Sequence, residues 1–185
     1  RPSHALIQIE FMKTRRLLRG RSDENLLRLP TMRDTRKGAA MQLMNAVFSS
    51  VYLAKPMLGP LLCFRMIRLT LQHGLCAISS FAFTTYGMLL CGYSFDFKGG
   101  YRYGQLALKL LDRFAAKEWL PRVYAGVFGI IHGWNLPMES ALEPLSRAVR
   151  VGLETGDIEF ACLNAAILNF MQFDLGKPLQ ELKAQ

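Results

Sequence analysis

A chain of 185 residues, 51% hydrophobic and 20% charged, carries enough apolar material for one ordinary core and lies far from the composition of a disordered polypeptide. Its formal net charge of +9 is concentrated in residues 1–40, where ten Lys and Arg face four acids. Such a basic end suits nucleic acid, an anionic membrane or an acidic partner, but Phe11 is its only aromatic residue, so the stacking pattern of a single-strand binder is missing and nucleic acid is disfavoured.

In chain order, Leu6, Ile9, Phe11, Met12, Leu17 and Leu18 recur among basic residues and predict an amphipathic helix over 5–19, closed near Gly20. Ser22 or Asp23 caps a short turn reaching Leu29, Pro30 closes it, and "TMRDTRKG" reads as a polar connector. Residues 1–36 are therefore predicted as a basic helical segment with its connector, and 37–185 as a helical stack. Residues 39–54 predict one helix, with Met41, Met44, Val47, Phe48 and Val51 apolar. Pro56 and Pro60 introduce a helix over 61–73, because a first turn needs no proline amide, and Gly74 ends it with a positive φ.

The next helix, 77–92, lies in a run from Leu69 to Phe95 without Asp, Glu, Lys or Arg. That run has the length of a bilayer span of ~30 Å. However, it contains Ser79, Ser80, Thr84, Thr85 and Ser94, and Arg65, Arg68, Lys98 and Arg102 flank it without asymmetry. These features favour the centre of a helical stack over a membrane-embedded bundle. "YSFDFKGG" then turns into a helix over 101–114, and 116–132 follows with Pro121 in its opening turn. Residues 138–155 form a helix in which Pro144 marks a kink or the true start. Gly156 ends it, Asp157 caps a helix over 158–175, and Gly176 with Pro178 repeats the stop and start. No hairpin or alternating strand pattern occurs, so the fold class is all-α, with roughly eight helices. The absence of an initial Met and the ending "LQELKAQ" are those expected of a piece cut from a larger protein.

Gly74 and Gly156 stand 82 residues apart, two units of about 41. "GLCAISSFAFTTYGMLL" and "GDIEFACLNAAILNFMQF" follow them, both mixing small with large apolar residues. A period of that size built from helix pairs predicts an α-α superhelix of tetratricopeptide or HEAT type. In this reading Gly74, Gly100, Gly104, Ala107, Trp134, Gly152, Gly156, Asp157 and Ala161 are packing and capping positions. Gly152 and Gly156 allow a tight reversal, and Ala161, Ala165 and Ala166 let the returning helix come close.

Candidate chemistry is sparse. Gly99 and Gly104 have the spacing of a phosphate-binding loop, but Gln105 and Leu106 stand where Lys and Ser or Thr are required. His4, His73 and His132 are isolated, the last two at helix ends where imidazole can meet free carbonyls. Glu154, Asp157 and Glu159 cluster at a helix junction, where cap and dipole explain the latter two. Ser79, Ser80 and Ser146 lack a nucleophile-elbow context, and Trp119 and Trp134 read as packing anchors in core or interface. Cys63, Cys76, Cys91 and Cys162 form no CxxC pair and read as small buried hydrophobes in a reducing compartment. With no signal-peptide pattern, the expected location is the cytoplasm. No catalytic, cofactor or metal site is predicted.

Gly100, Tyr101, Gly104, Leu106, Ala107 and Leu108, then His132 and Trp134, and then the run Gly152, Leu153, Glu154, Thr155, Gly156, Asp157, Ile158, Glu159 and Ala161 resemble the helical-repeat region of very large multidomain signalling kinases. "LLRLPTMRDTRKGAAMQLM", Gly74 and "FTTYGMLL" extend the resemblance over about 26–182. In that family a Ser/Thr-kinase-like domain and an AAA-type ATPase precede this region, and a GAF domain with a histidine-kinase core follows. The resemblance implies a non-catalytic segment that contacts a protein partner or the adjoining domains of its own chain. None of the family's catalytic residues lies in this sequence. The rival expectations are a free-standing peptide-binding adaptor and a membrane-embedded helical bundle.

Overall fold

Ser3 Oγ accepts the Leu6 amide and opens α1, His4–Leu18, in which Ile7, Phe11, Thr14 and Leu18 form one buried face. Ser22 caps α2, Asp23–Leu27. Asp34 Oδ1 accepts the amides of Arg36 (2.9 Å) and Lys37 (3.2 Å), so α3, Thr35–Ala46, begins inside the stretch expected to be a connector. The single helix expected over 39–54 is divided at Val47, and α4 is Phe48–Ala54. The break coincides with the run Val47, Phe48, Ser49, Ser50 and Val51, all weak helix formers. A 3-10 turn, Pro56–Leu58, leads into α5, Gly59–His73, and α6 follows at Ser79–Ser94. This computed structural model describes residues 3–177; Pro178 and the rest of the expected restart lie outside the described residues.

α7, Phe97–Phe114, starts four residues before the expected Tyr101, because Asp96 Oδ1 takes the Gly99 amide (2.9 Å) and draws both glycines into the first turn. The single helix expected over 116–132 is composite. A 3-10 turn (Lys117–Trp119), α8 (Leu120–Gly126), a π turn (Val127–Ile131) and a second 3-10 turn (His132–Trp134) follow one another. α9, Glu139–Thr155, holds Pro144 in its interior rather than starting there, and α10 is Ile158–Asp174. The described residues thus form ten α-helices and no strand, an all-α fold. One isolated parallel bridge joins Thr31 and Leu75.

α6 is the axis of the packing. Ser79 to Gly87, with Leu90 and Cys91, are all buried. A helix without an outward face needs partners on every side, and α5, α7, α8 and the π turn supply them. Closeness comes from glycine. A Cβ on Gly87 would stand 2.8 Å from both the Gly100 carbonyl and Ile131 Cδ1, and one on Gly100 would collide with Cys91 Sγ. A Cβ on Gly126 would likewise run into Thr84 Cγ2. The hydroxyls of this apolar helix are satisfied within it or beside it: Thr84 donates to the Ser80 carbonyl (3.0 Å), Thr85 to Phe81 (2.9 Å), and Ser79 Oγ lies 3.0 Å from Thr70 Oγ1. Among the described residues no helix is long and apolar enough to cross a membrane.

Charge pairs tie the outer helices to this centre. Glu10 on α1 accepts Arg68 of α5 and Lys13, and these two cations hold its carboxyl below the usual range. Arg102 of α7 donates to Asp23 Oδ1 and to the Arg21 carbonyl, both at 2.6 Å. Arg122 of α8 reaches Asp157 twice, Nε to Oδ2 at 2.8 Å and Nη2 to Oδ1 at 3.2 Å, while its guanidinium lies over the Phe160 ring at 4.4 Å.

His132 closes the junction between α8 and α9. The Ser140 hydroxyl donates its one hydrogen to the Pro137 carbonyl (2.6 Å), so His132 Nε2, 2.7 Å from Ser140 Oγ, is the donor there. Nδ1 is then left buried without a partner. The ring therefore meets the Ser140 hydroxyl, with the Pro137 carbonyl beside it. Burial lowers its pKa below the ordinary histidine value, against an opposing pull from the Pro137 carbonyl.

Two outcomes follow for unfolding experiments. Gly100→Ala is expected to lower the urea midpoint by the equivalent of about 1–3 kcal/mol. Gly92→Ala, on the same central helix pair but with nothing within 4 Å of the added carbon, is expected to raise it by up to about 1 kcal/mol. Because His132 is harder to protonate in the fold than in the unfolded chain, the stability it supports is full above about pH 6.5 and lost as pH falls. Thermal unfolding between about pH 7 and 5 should show that loss, and His132→Gln should flatten it.

Candidate functional site

The residues singled out in the sequence fall into separate helix contacts and do not converge. Gly100, Gly104 and Ala107 are buried on the face of α7 that meets α6 and the π turn; a Cβ on Gly104 would lie 3.4 Å from Ile131 Cδ1. Gly74, at φ +98°, passes so close to the Pro30 carbonyl that no side chain fits. Beside it Leu75 donates to the Pro30 carbonyl and Met32 to the Leu75 carbonyl, both at 2.7 Å. Gly156, at φ +81°, makes the reversal between α9 and α10. Gly152 takes no part in the reversal. It lies inside α9, where an added Cβ would stand 2.8 Å from Ala161 Cβ, so it sets the closeness of α9 and α10.

Three further expectations are corrected. Asp157 stands at the N-cap position of α10 but its carboxylate makes no cap bond, because Arg122 takes both oxygens. Trp134, expected in core or interface, is 59% exposed and stacks on Phe97 at 4.5 Å, which removes the core alternative and leaves the interface one. Of the cysteines, Cys63 and Cys91 are buried and Cys76 half-buried, but Cys162 is exposed.

The arrangement offers little chemistry. Glu154 pairs with Lys117 at 2.7 Å, which lowers its pKa; Asp157 pairs with Arg122; and Glu159 is exposed. Two of the three acids seen together in the sequence are thus engaged by separate cations. The glycines with phosphate-loop spacing lie inside α7, where the Gly99 amide serves the Asp96 carboxylate and the Gly100 amide the Asp96 carbonyl. Amides so engaged are not available to cradle a phosphate. Among the described residues no group of three His, Cys, Asp or Glu side chains could hold a metal ion.

What remains is surface. α9 places Leu142, Ser146, Val149 and Leu153 on one stripe at the i, i+4, i+7, i+11 spacing, and α10 faces it with Ala165, Leu168 and Gln172. A groove of about 760 Å³ runs between the two stripes, rimmed by Glu143, Arg150 and Glu154. Leu153 on its wall is 59% exposed. The small residues that bring α9 and α10 together stand out in the sequence, whereas this second stripe is carried only by the ordinary apolar periodicity of α9. Leu43, Tyr52 and Leu53 on α3 and α4 are further exposed apolar side chains.

Comparison with known proteins gives a distant relationship. The chain is 27% identical over 143 residues to hybrid signal transduction histidine kinase G of Dictyostelium discoideum; the match takes in 76% of this chain and 4% of that protein. No family model matches the chain, and no solved structure matches it. The chain therefore spans a small part of the curated relative's length, and it is distantly similar to a segment of a signal-transduction histidine kinase.

Proposed function

We propose that the chain is a non-catalytic helical-repeat segment of a multidomain signal-transduction ATPase and histidine kinase, a scaffold and sensor that holds a protein partner or the adjoining domains of its own chain. The observation that carries this reading is the open groove between α9 and α10. Two stripes at helix-packing spacing, apolar at Leu142, Val149, Leu153, Ala165 and Leu168 and polar at Ser146 and Gln172, are presented together with room between them, which is the form in which one helical repeat receives the next. From α5 to α10 each helix packs on its chain neighbours, with α6 also reaching α8 and α8 reaching α10, which supports a superhelical stack; α1 and α2 fold back onto α5 and α7. The distant similarity to the histidine kinase supplies the signalling context.

The test uses thiol accessibility. Ser146 is exposed and lines the groove, so Ser146→Cys in a Cys162→Ser background places a reactive thiol there. Maleimide should label it rapidly in the 185-residue chain and at least about tenfold more slowly in the longer polypeptide that includes the adjoining domains. Leu153→Glu, on the groove wall, should restore fast labelling in the longer form. Equal labelling rates in both forms would remove the groove from the contact, and ATP turnover by the isolated chain would overturn the non-catalytic reading.

A further inference from the structure

A second concave surface is built from other helices. The C-terminal half of α1, the C-terminal half of α6 and the first turns of α7 enclose a groove of about 950 Å³. Its floor is Phe11, Leu18, Tyr86, Leu90 and Tyr103, all buried. Phe11 lies 6.4 Å from Tyr86, and Tyr86 meets Tyr103 edge to face at 5.0 Å, so packed rings fix the shape of the floor. Burial pushes the pKa of both tyrosines up, and their hydroxyls stay neutral.

The wall is cationic. Met12, Arg15, Arg16 and Arg19 follow the i, i+3, i+4, i+7 spacing and form one stripe of α1 along the groove. Lys13 and Arg102 are already paired with Glu10 and Asp23. The side chains of Arg15, Arg16 and Arg19 have no hydrogen-bond or ion-pair partner among the described residues, although all three are exposed beside an apolar floor. Asp96 is the one acid of the lining, and its Oδ1 serves the Gly99 amide.

We propose that this groove binds an acidic amphipathic helix of a protein partner, whose apolar residues rest on the floor while its Glu and Asp side chains face Arg15, Arg16 and Arg19. From Met12 to Arg19 the stripe rises ~10 Å, about two turns of such a helix. The charge complementarity selects an acidic partner. The five floor residues are recessed behind the arginines, whereas a surface that enters a bilayer projects its apolar residues; of the apolar lining only Met12 projects, at 69% exposure. The inference does not depend on what fills the α9–α10 groove.

The experiment is fluorescence anisotropy on the full chain. The probe is a labelled synthetic helix of about four turns, with Leu and Trp on one face and Glu on the other. Two controls replace each Glu with Gln or with Lys, and vesicles rich in phosphatidylserine serve as a third ligand. The Glu peptide should bind at least about tenfold more tightly than the Gln peptide, and raising salt from about 50 to about 300 mM should weaken it. Arg15→Glu with Arg19→Glu, both at exposed positions, should abolish binding of the Glu peptide and create binding of the Lys peptide, a reversal that a misfolded variant would not show. Equal affinity for the Glu and Gln peptides would overturn the proposal, as would indifference to the double substitution. Binding of the vesicles in preference to the peptide would overturn it in favour of a membrane surface.

Discussion

The contact between Gly87 and Gly100 decides the rest of the structure. α6 has no charged residue and no outward face along its buried first half, so it exists as a stable helix only when enclosed. Enclosure at ordinary interhelical distance would leave its small residues facing voids, and buried voids cost dispersion contacts that nothing replaces. By bringing two backbones together at Gly87 and Gly100, the chain closes that gap. The same contact aligns Gly104 with Ile131 and Gly126 with Thr84, so α7, the π turn and α8 are positioned by one near-touch of main chains.

Around that centre the polar connections have a common logic. They join elements far apart in sequence: Glu10 with Arg68, Asp23 with Arg102, and Arg122 with Asp157. Hydrophobic burial is non-directional and would tolerate some sliding of one helix over another. A bidentate arginine fixes both distance and orientation. The Arg122 pair links the start of α8 to the start of α10 and so fixes how these two helices sit on each other. That is why Asp157 is spent on a cross-helix bond and not on capping its own helix.

Much of this is legible in the sequence and some is not, for identifiable reasons. Helix termini marked by a cap or a glycine with no rival partner, such as Ser22, Gly74 and Gly156, are visible because the signal and the structure are both local. The start of α7 is misread because Gly99 and Gly100 together read as a turn, and Asp96 one turn earlier draws them into the helix; Gly100 as a packing position is legible, and the close approach of α6 is what requires it. The division at Val47 and the π turn before His132 depend on what each helix packs against, which no local pattern records. Trp134 leaves core and interface open in the sequence, because a large aromatic residue serves either. The two grooves escape a linear reading for a different cause. Each is made of two or more stripes on separate helices, and only the fold brings the stripes side by side.

The short bridge between Pro30–Met32 and Leu75 has a mechanical consequence. Its two backbone hydrogen bonds close a loop that contains α3, α4 and α5. Tension that reaches Pro30 along the chain crosses there to the turn before α6, while the Glu10–Arg68 and Asp23–Arg102 pairs carry a parallel share from α1 to α5 and from α2 to α7. α3 and α4 are bypassed and carry no load while the bridge holds. The share crossing the bridge is delivered to the buried central helix, and rupture of the bridge would let α3 and α4 take load.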